Sequence, residues 1–294
     1  MQKIKKYIKH NRFLFFLFWP AVCLKRSIVY IGLTIKYAYI FNFKKYMRKD
    51  GLAFFSPYLL LKKFKDIHLG DRCFIVGTGP SLNIEDLNLL CNEYTFSVNS
   101  IYKTFDKTEW RPTYYLVQDE DVYRFRETEQ IASVPCKARF YGDTLIRYAG
   151  NEHQIYYPLN LLPMRDNYLN NGFSDDAYLE VVDGCSVIYS AMQIAVYMGF
   201  KQIYLLGCDC DYGQPICHFM DESNPKHPLL TPPPNMTEIM NRSYLGAKKF
   251  ADKSDVNIYN STRGGKLDLF KRISLDSVLL TECTNKKLLN KNVD

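Results

Sequence analysis

Beyond residue 70 the chain alternates short apolar runs with longer segments in which apolar residues recur every three or four positions. Such alternation of strand-like and helix-like pattern is the signature of a parallel sheet covered by helices. It predicts strands at Cys73–Gly77, Thr95–Val98, Tyr114–Val117, Ala138–Tyr141, Gln202–Leu206 and Asn257–Tyr259. Helices are predicted at Ile84–Leu90, Asp121–Glu129, Val187–Met198 and Glu238–Lys253. Lys226–Asn235 holds Pro228, Pro232, Pro233 and Pro234 and reads as an extended loop, a lid or acceptor-binding element if it lies beside a site. The expected fold class is α/β: a Rossmann-like, mostly parallel sheet with helices on both faces.

The first fifty residues follow another pattern. Phe13–Leu24 is an apolar run with Trp19 and Pro20, and Ile28–Phe43 is a second run interrupted by Lys36. Neither reaches the roughly 20 apolar residues that cross a bilayer, and no A-x-A-like site follows the first run, which argues against a cleaved signal peptide. Lys and Arg cluster at 3–12, 25–26 and 44–49, and residues 1–49 hold 12 basic residues and no acid. The whole chain is formally +7, so the remainder carries 26 basic against 31 acidic side chains. A basic, aromatic arm on a mildly acidic body points to an anionic membrane surface as the partner of the arm, with no nucleic acid at the core. The alternatives are helices packed as ordinary structure and a spanning hairpin. The expected organisation is a membrane-associating helical arm over 1–50, a link at Gly51–Gly70, and a catalytic domain within 51–294. The expected location is cytoplasmic, on the inner face of the cell membrane.

Nine cysteines without framework spacing fit reduced thiols. Cys208, Cys210, Cys217 and His218 form the tightest group, and without a second Cys-x-x-Cys pair they read as core thiols, not as a zinc site. The candidate chemistry lies where strands end. The first strand runs into Gly77-Thr78-Gly79-Pro80-Ser81, a turn able to aim backbone N–H groups and a helix N-terminus at an anionic phosphate. It lacks the third glycine of the dinucleotide fingerprint and the Gly-Lys-Ser/Thr of a P-loop. Asn99, Gln118 with Asp119, and Gly207 with Asp209 end three further strands, and Gly184 and Ser186 precede a small-residue helix. In an open α/β sheet the carboxyl ends of the strands form the ligand crevice, so these residues describe one polar pocket. No cofactor is expected to be required. Mg²⁺ remains open, since Asp119, Glu120, Asp121, Asp209 and Asp211 are either its ligands or solvated acids.

The order of these segments resembles a known family. Phe74-Ile-Val-Gly-Thr-Gly-Pro-Ser-Leu82, Asn99, Pro112-Thr-Tyr-Tyr115, Ser186-Val187, Met198-Gly-Phe-Lys-Gln-Ile-Tyr-Leu-Leu-Gly-Cys-Asp209 and Ile258-Tyr-Asn-Ser-Thr-Arg-Gly-Gly-Lys-Leu267 are similar to the MptE-like, motility-accessory-factor Rossmann proteins. More distantly they resemble the bacterial family 42 sialyltransferases. The resemblance covers about residues 65–280. It implies either transfer of a nonulosonic acid such as sialic acid from a CMP donor, or transfer of diphosphate from a nucleoside triphosphate to a hydroxymethylpterin. The membrane-seeking arm favours a glycosyltransferase acting on a surface glycan or lipid-linked acceptor. A non-catalytic nucleotide-binding scaffold is the third alternative. The similar sialyltransferases use a His base just before the last helix, where this chain reads Ile239-Met-Asn-Arg-Ser-Tyr-Leu-Gly246 with no histidine. His218 is therefore the expected base, ahead of His227, with Asp209 and Asp119 as further catalytic candidates. The resemblance implies that Tyr212 and Tyr244 bind the leaving phosphate.

Overall fold

A computed structural model describes residues 12–53, 56–125, 128–150, 154–162, 172–212 and 235–280. The chain divides into two units, Met1–Ala53 and Phe54–Asp294. In the first, the two apolar runs form a single helix, α1 (Arg12–Lys49), instead of separate helices. Tyr39, Ile35, Ile28 and Ile31 along it are exposed. No helix among the described residues is long and apolar enough to cross a membrane.

The second unit is built on an eight-stranded sheet. Its strands in chain order are β1 (Arg72–Val76), β2 (Thr95–Val98), β3 (Tyr114–Val117), β4 (Ala138–Gly142), β5 (Ile155–Tyr157), β8 (Gln202–Leu206), β9 (Asn257–Asn260) and β10 (Lys271–Arg272). Between β5 and β8 lie β6 (Leu159–Asn160) and β7 (Val181–Val182), which pair only with each other. The spatial order is β10-β9-β8-β1-β2-β3-β4-β5, and every pairing is parallel. The sheet order reverses at β1, which lies between β2 and β8. The fold is therefore α/β and Rossmann-like, as the pattern predicts. The six predicted strands are present to within a residue at each end, and β5, β6, β7 and β10 are additions.

The helices around the sheet are α2 (Ile84–Leu89), α3 (Glu120–Phe125), α4 (Thr128–Ser133), α5 (Ile146–Ala149), α6 (Val187–Tyr197) and α7 (Met236–Ala251). The predicted helix at Asp121–Glu129 is helical over its described residues, in α3 and α4, and residues 126–127 lie outside the description. The supposed link before the sheet is also partly core: a 3₁₀ turn at Leu59–Phe64 buries Leu61 completely, and the Tyr58 hydroxyl donates to Asp143 Oδ2 at 2.7 Å.

Helix α6 is the apolar spine. Ten of its residues are buried, and it packs over β1, β2 and β3. Its start is fixed by Ser186, whose hydroxyl accepts from the Ile188 N–H at 3.3 Å. Its end is fixed by Gly199 at φ +97°, where a Cβ would lie 3.0 Å from the backbone N of Leu69. Only glycine serves there, and it turns the chain directly into β8. That delivers the carboxyl end of β8 beside the carboxyl end of β1.

Candidate functional site

The turn after β1 is stitched to the end of β8. The Gly77 N–H donates to Leu206 O and the Gly79 N–H to Gly207 O, each at 2.8 Å. The carboxylate of Asp209 lies against the same turn, where Oδ2 accepts from the Ser81 hydroxyl at 2.8 Å and from the Ser81 N–H at 3.4 Å. A Cβ at Gly79 would stand 1.9 Å from that oxygen and 2.6 Å from Gly207 O, so the glycine is required by Asp209. Behind the turn, Arg263 holds the buried Asp86 of α2 through Nε at 2.8 Å and Nη2 at 2.6 Å. Four donors of the turn are thus spent on protein groups, whereas Thr78 makes no hydrogen bond to a described residue. The expectation of a bare phosphate cradle meets a turn that already contains a carboxylate.

Across the sheet the strand ends face a cavity of about 410 Å³, within the usual range for small-molecule sites. At the end of β2, Asn99 adopts φ +47° and its Oδ1 is buried with no partner among the described residues. Its carbonyl accepts from the Tyr115 hydroxyl. At the end of β3, Gln118 is buried in a network. Its Oε1 accepts from the Tyr157 hydroxyl at 3.0 Å and the Ser190 hydroxyl at 2.6 Å, and its Nε2 donates to Asp183 Oδ1 at 3.3 Å. Asp119 Oδ1 accepts from the Val122 N–H at 2.8 Å, a cap on the first turn of α3.

Asp183, just after β7, lines the cavity and is almost fully buried. Burial lifts its carboxyl to about 6, and the nearby Asp119 adds to the rise. Hydrogen bonds from the Cys185 N–H and Gln118 act against it. Cys208 and Cys210 are buried thiols whose pKa values burial pushes up, which makes them inert core groups. Tyr244 of α7 is completely buried, its hydroxyl 3.4 Å from Ser186 Oγ, and burial raises its pKa as well. Among the described residues, no three His, Cys, Asp or Glu side chains come together as a metal site. The described lining carries the carboxyls of Asp119, Glu120, Asp121, Asp183, Asp209 and Asp211 and no Lys, Arg or His.

Residues 49–215 match the family described as 6-hydroxymethylpterin diphosphokinase MptE-like. The chain belongs to the MptE-like family. No curated protein matches it in sequence. Among solved structures, a MAf glycosyltransferase from Magnetospirillum magneticum AMB-1 is similar at 16% identity and a TM-score of 0.47, over 75% of this chain and 38% of that one. This chain therefore spans well under half of that protein. The sialyltransferase CstII from Campylobacter jejuni, in complex with a substrate analogue, cytidine-5'-monophosphate, is similar at 13% identity and a TM-score of 0.41, over 70% of this chain and 86% of that one. A variant of the sialyltransferase CST-II in complex with CMP gives 13% and 0.42, over 69% and 86%.

In this MptE-like chain, Gly77, Thr78, Gly79, Asn99, Gln118, Asp119, Ser186, Gly207, Asp209, Tyr212 and Tyr244 all line one cavity. Pro80, Ser81 and Gly184 do not. Ser81 turns toward Asp209, and Gly184 packs so tightly on Tyr189 that a Cβ would lie 2.4 Å from its ring. His218, His227, Cys217 and most of the proline-rich loop lie outside the described residues. Sequence reasoning passed over Asp183. The strand before it is two residues long and carries no periodicity, so the available signal was an acid directly before Gly184-Cys185-Ser186 at a helix start.

Proposed function

We propose that the protein is a glycosyltransferase that moves a sugar from a nucleotide donor to an acceptor hydroxyl. The donor class we favour is a CMP-linked, sialic-acid-like nonulosonic acid. The observation that carries this reading is the convergence of the β1, β2, β3 and β8 ends and the α6 start on one cavity, into which Asn99 brings a side-chain oxygen that has no partner among the described residues. Asn99 Oδ1 is an acceptor awaiting an amine or hydroxyl donor, as on a nucleobase or ribose. Thr78 and the first turn of α6 are suited to an anionic part of the donor. In the transfer, the acceptor oxygen bonds to the anomeric carbon. The carbon–phosphate-oxygen bond breaks, its electron pair leaves with the nucleotide, and a base takes the acceptor proton. His218, six residues beyond the cavity residue Tyr212, is the sequence candidate for that base. Helix α1, basic and without acids, rests in this reading on an anionic membrane surface at the cytoplasmic face, where lipid-linked acceptors reside.

A second reading, pterin diphosphotransfer, is favoured by the family's description. It also suits an acid-rich lining, because carboxylates pair with the amino and ring N–H edge of a pterin. One experiment separates the two. The full chain is offered CMP-, UDP- and GDP-linked sugars with glycan acceptors in one series, and ATP with 6-hydroxymethyl-dihydropterin in the other. Release of free CMP with growth of the glycan supports the glycosyltransferase. Formation of AMP and pterin diphosphate overturns it. Binding of nucleotide without either reaction points to the scaffold.

A further inference from the structure

The reading above leaves one acid in the cavity without a task. Asp183 is 6% exposed and lines the cavity. Its Oδ1 accepts from the Cys185 N–H at 3.1 Å and from Gln118 Nε2 at 3.3 Å. Its Oδ2 accepts no hydrogen bond from a described residue. The Tyr157 and Ser190 hydroxyls donate to the Gln118 oxygen, which leaves its amide N–H to face Asp183. One oxygen of Asp183 is thus clamped while the other is left for whatever enters. Burying a carboxyl with half its capacity unfilled is destabilising, and groups kept in that condition inside a cleft are characteristic of functional sites.

The surrounding groups suit proton transfer. Asp119, from the end of β3, is the charged group that raises the proton affinity of Asp183, and the Cys185 N–H and Gln118 amide lower it. The Tyr157 hydroxyl also feels the Asp183 charge, and Glu120, Asp121, Asp209, Asp211, Cys185, Cys208, Cys210, Tyr212 and Tyr244 are the other titratable groups of the described lining. Burial keeps Tyr157 and Cys210 protonated at neutral pH. No Lys, Arg or His lines the described cavity to hold Asp183 permanently ionised. A carboxyl half ionised at about 6 is ionised at neutral pH, yet basic enough to take a proton in a transition state.

We propose that Asp183 is the catalytic base of the transfer. Its Oδ2 accepts the proton of the acceptor hydroxyl as that oxygen bonds to the anomeric carbon and the sugar–phosphate bond breaks, the electron pair departing with the nucleotide. The proton passes to water once the product leaves. Gln118 is the positioning residue, holding Oδ1 so that Oδ2 faces the acceptor. This rests on the glycosyltransferase reading and assigns to Asp183 the step that sequence reasoning gave to His218.

The test uses the full chain and the variants Asp183→Asn, Asp183→Ala and His218→Ala. CMP affinity is measured by calorimetry. Turnover is measured as nucleotide released from CMP-, UDP- and GDP-linked sugars with a glycan acceptor. Asp183→Asn is expected to bind CMP like the parent and lose about 10²- to 10⁴-fold in kcat, the usual size of a general-base contribution. Formate should partly restore Asp183→Ala. The acid limb of the kcat profile near pH 6 should vanish in Asp183→Asn and persist in His218→Ala. Near-normal turnover in Asp183→Asn overturns the proposal. So does a loss that formate does not rescue while the acid limb stays, which would make Asp183 structural. If the parent binds CMP and transfers none of the sugars, the glycosyltransferase reading itself has failed, an outcome visible before any variant is made.

Discussion

Replacing Asp183 with Asn is expected to stabilise the protein, and the gain is expected to depend on pH. Folding raises the carboxyl from an ordinary 3.8 to about 6. The native state therefore holds this proton more tightly than the unfolded chain. Stability from this group is fully present below pH 3.8 and is lost as pH rises through about 6. At about 1.36 kcal/mol per pKa unit, the raised pKa removes about 3 kcal/mol of stability at pH 7.5, where native Asp183 is ionised, and about 1 kcal/mol at pH 4.5, where only the unfolded carboxyl is. Asparagine keeps the acceptor for Cys185 and Gln118, matches the shape and cannot ionise. Asp183→Asn should accordingly unfold about 3 kcal/mol later than the parent at pH 7.5, with the gap narrowing to about 1 kcal/mol at pH 4.5. For a unit of about 240 residues the neutral-pH gain is roughly 6–12 °C in Tm. Urea melts of both proteins at the two pH values measure it. A gap that does not change with pH, or a variant less stable than the parent at pH 7.5, refutes the account of a buried, strained carboxyl.

Gly79→Ala should lose stability by about 1–3 kcal/mol or more in a denaturant melt, since its Cβ must displace Asp209 or the Gly207 backbone; a neutral result would mean the turn is looser than described. Gln118→Leu should lower kcat more than it raises KM for donor, because it frees Asp183 Oδ1 without touching the donor groups. Removing residues 1–49 should abolish sedimentation with anionic liposomes, and binding of the full chain should weaken as salt rises. Equal sedimentation of both forms would remove the membrane role of the arm. CMP at about 100 times its Kd should add about 2.7 kcal/mol to the stability of the full chain, read as a rise in Tm.

The sheet was legible where strands are buried on both faces. Tyr114–Val117 and residues 203–206 are continuous apolar runs for that reason, and in Thr95–Val98 the small Thr95 and Ser97 share the burial with Phe96 and Val98. Strands of two or three residues, such as Val181–Val182 and Lys271–Arg272, exist only because a neighbour pairs with them, and no local pattern marks them. The cavity was legible as glycines and polar residues standing directly after apolar runs. Its electrostatics were not. The contact that fills the glycine turn joins Ser81 to Asp209, two residues far apart in sequence, and the raised pKa of Asp183 follows from burial and from Asp119, which the fold brings beside it.

The position of β1 has a consequence for biosynthesis. It pairs with β2 on one side and with β8 on the other, yet β8 leaves the ribosome roughly 125 residues later. At about 5–20 residues per second, that is an interval on the order of 6–25 s. Throughout it, β1 to β5 can assemble, but the nascent sheet presents the β8-facing edge of Arg72–Val76, a fully apolar strand after its first residue, as unpaired N–H and C=O groups. An edge of that kind invites pairing with another chain. Slowing translation between β5 and β8, or overloading the chaperones that cover such edges, should therefore send this protein into aggregates even when the finished fold is stable.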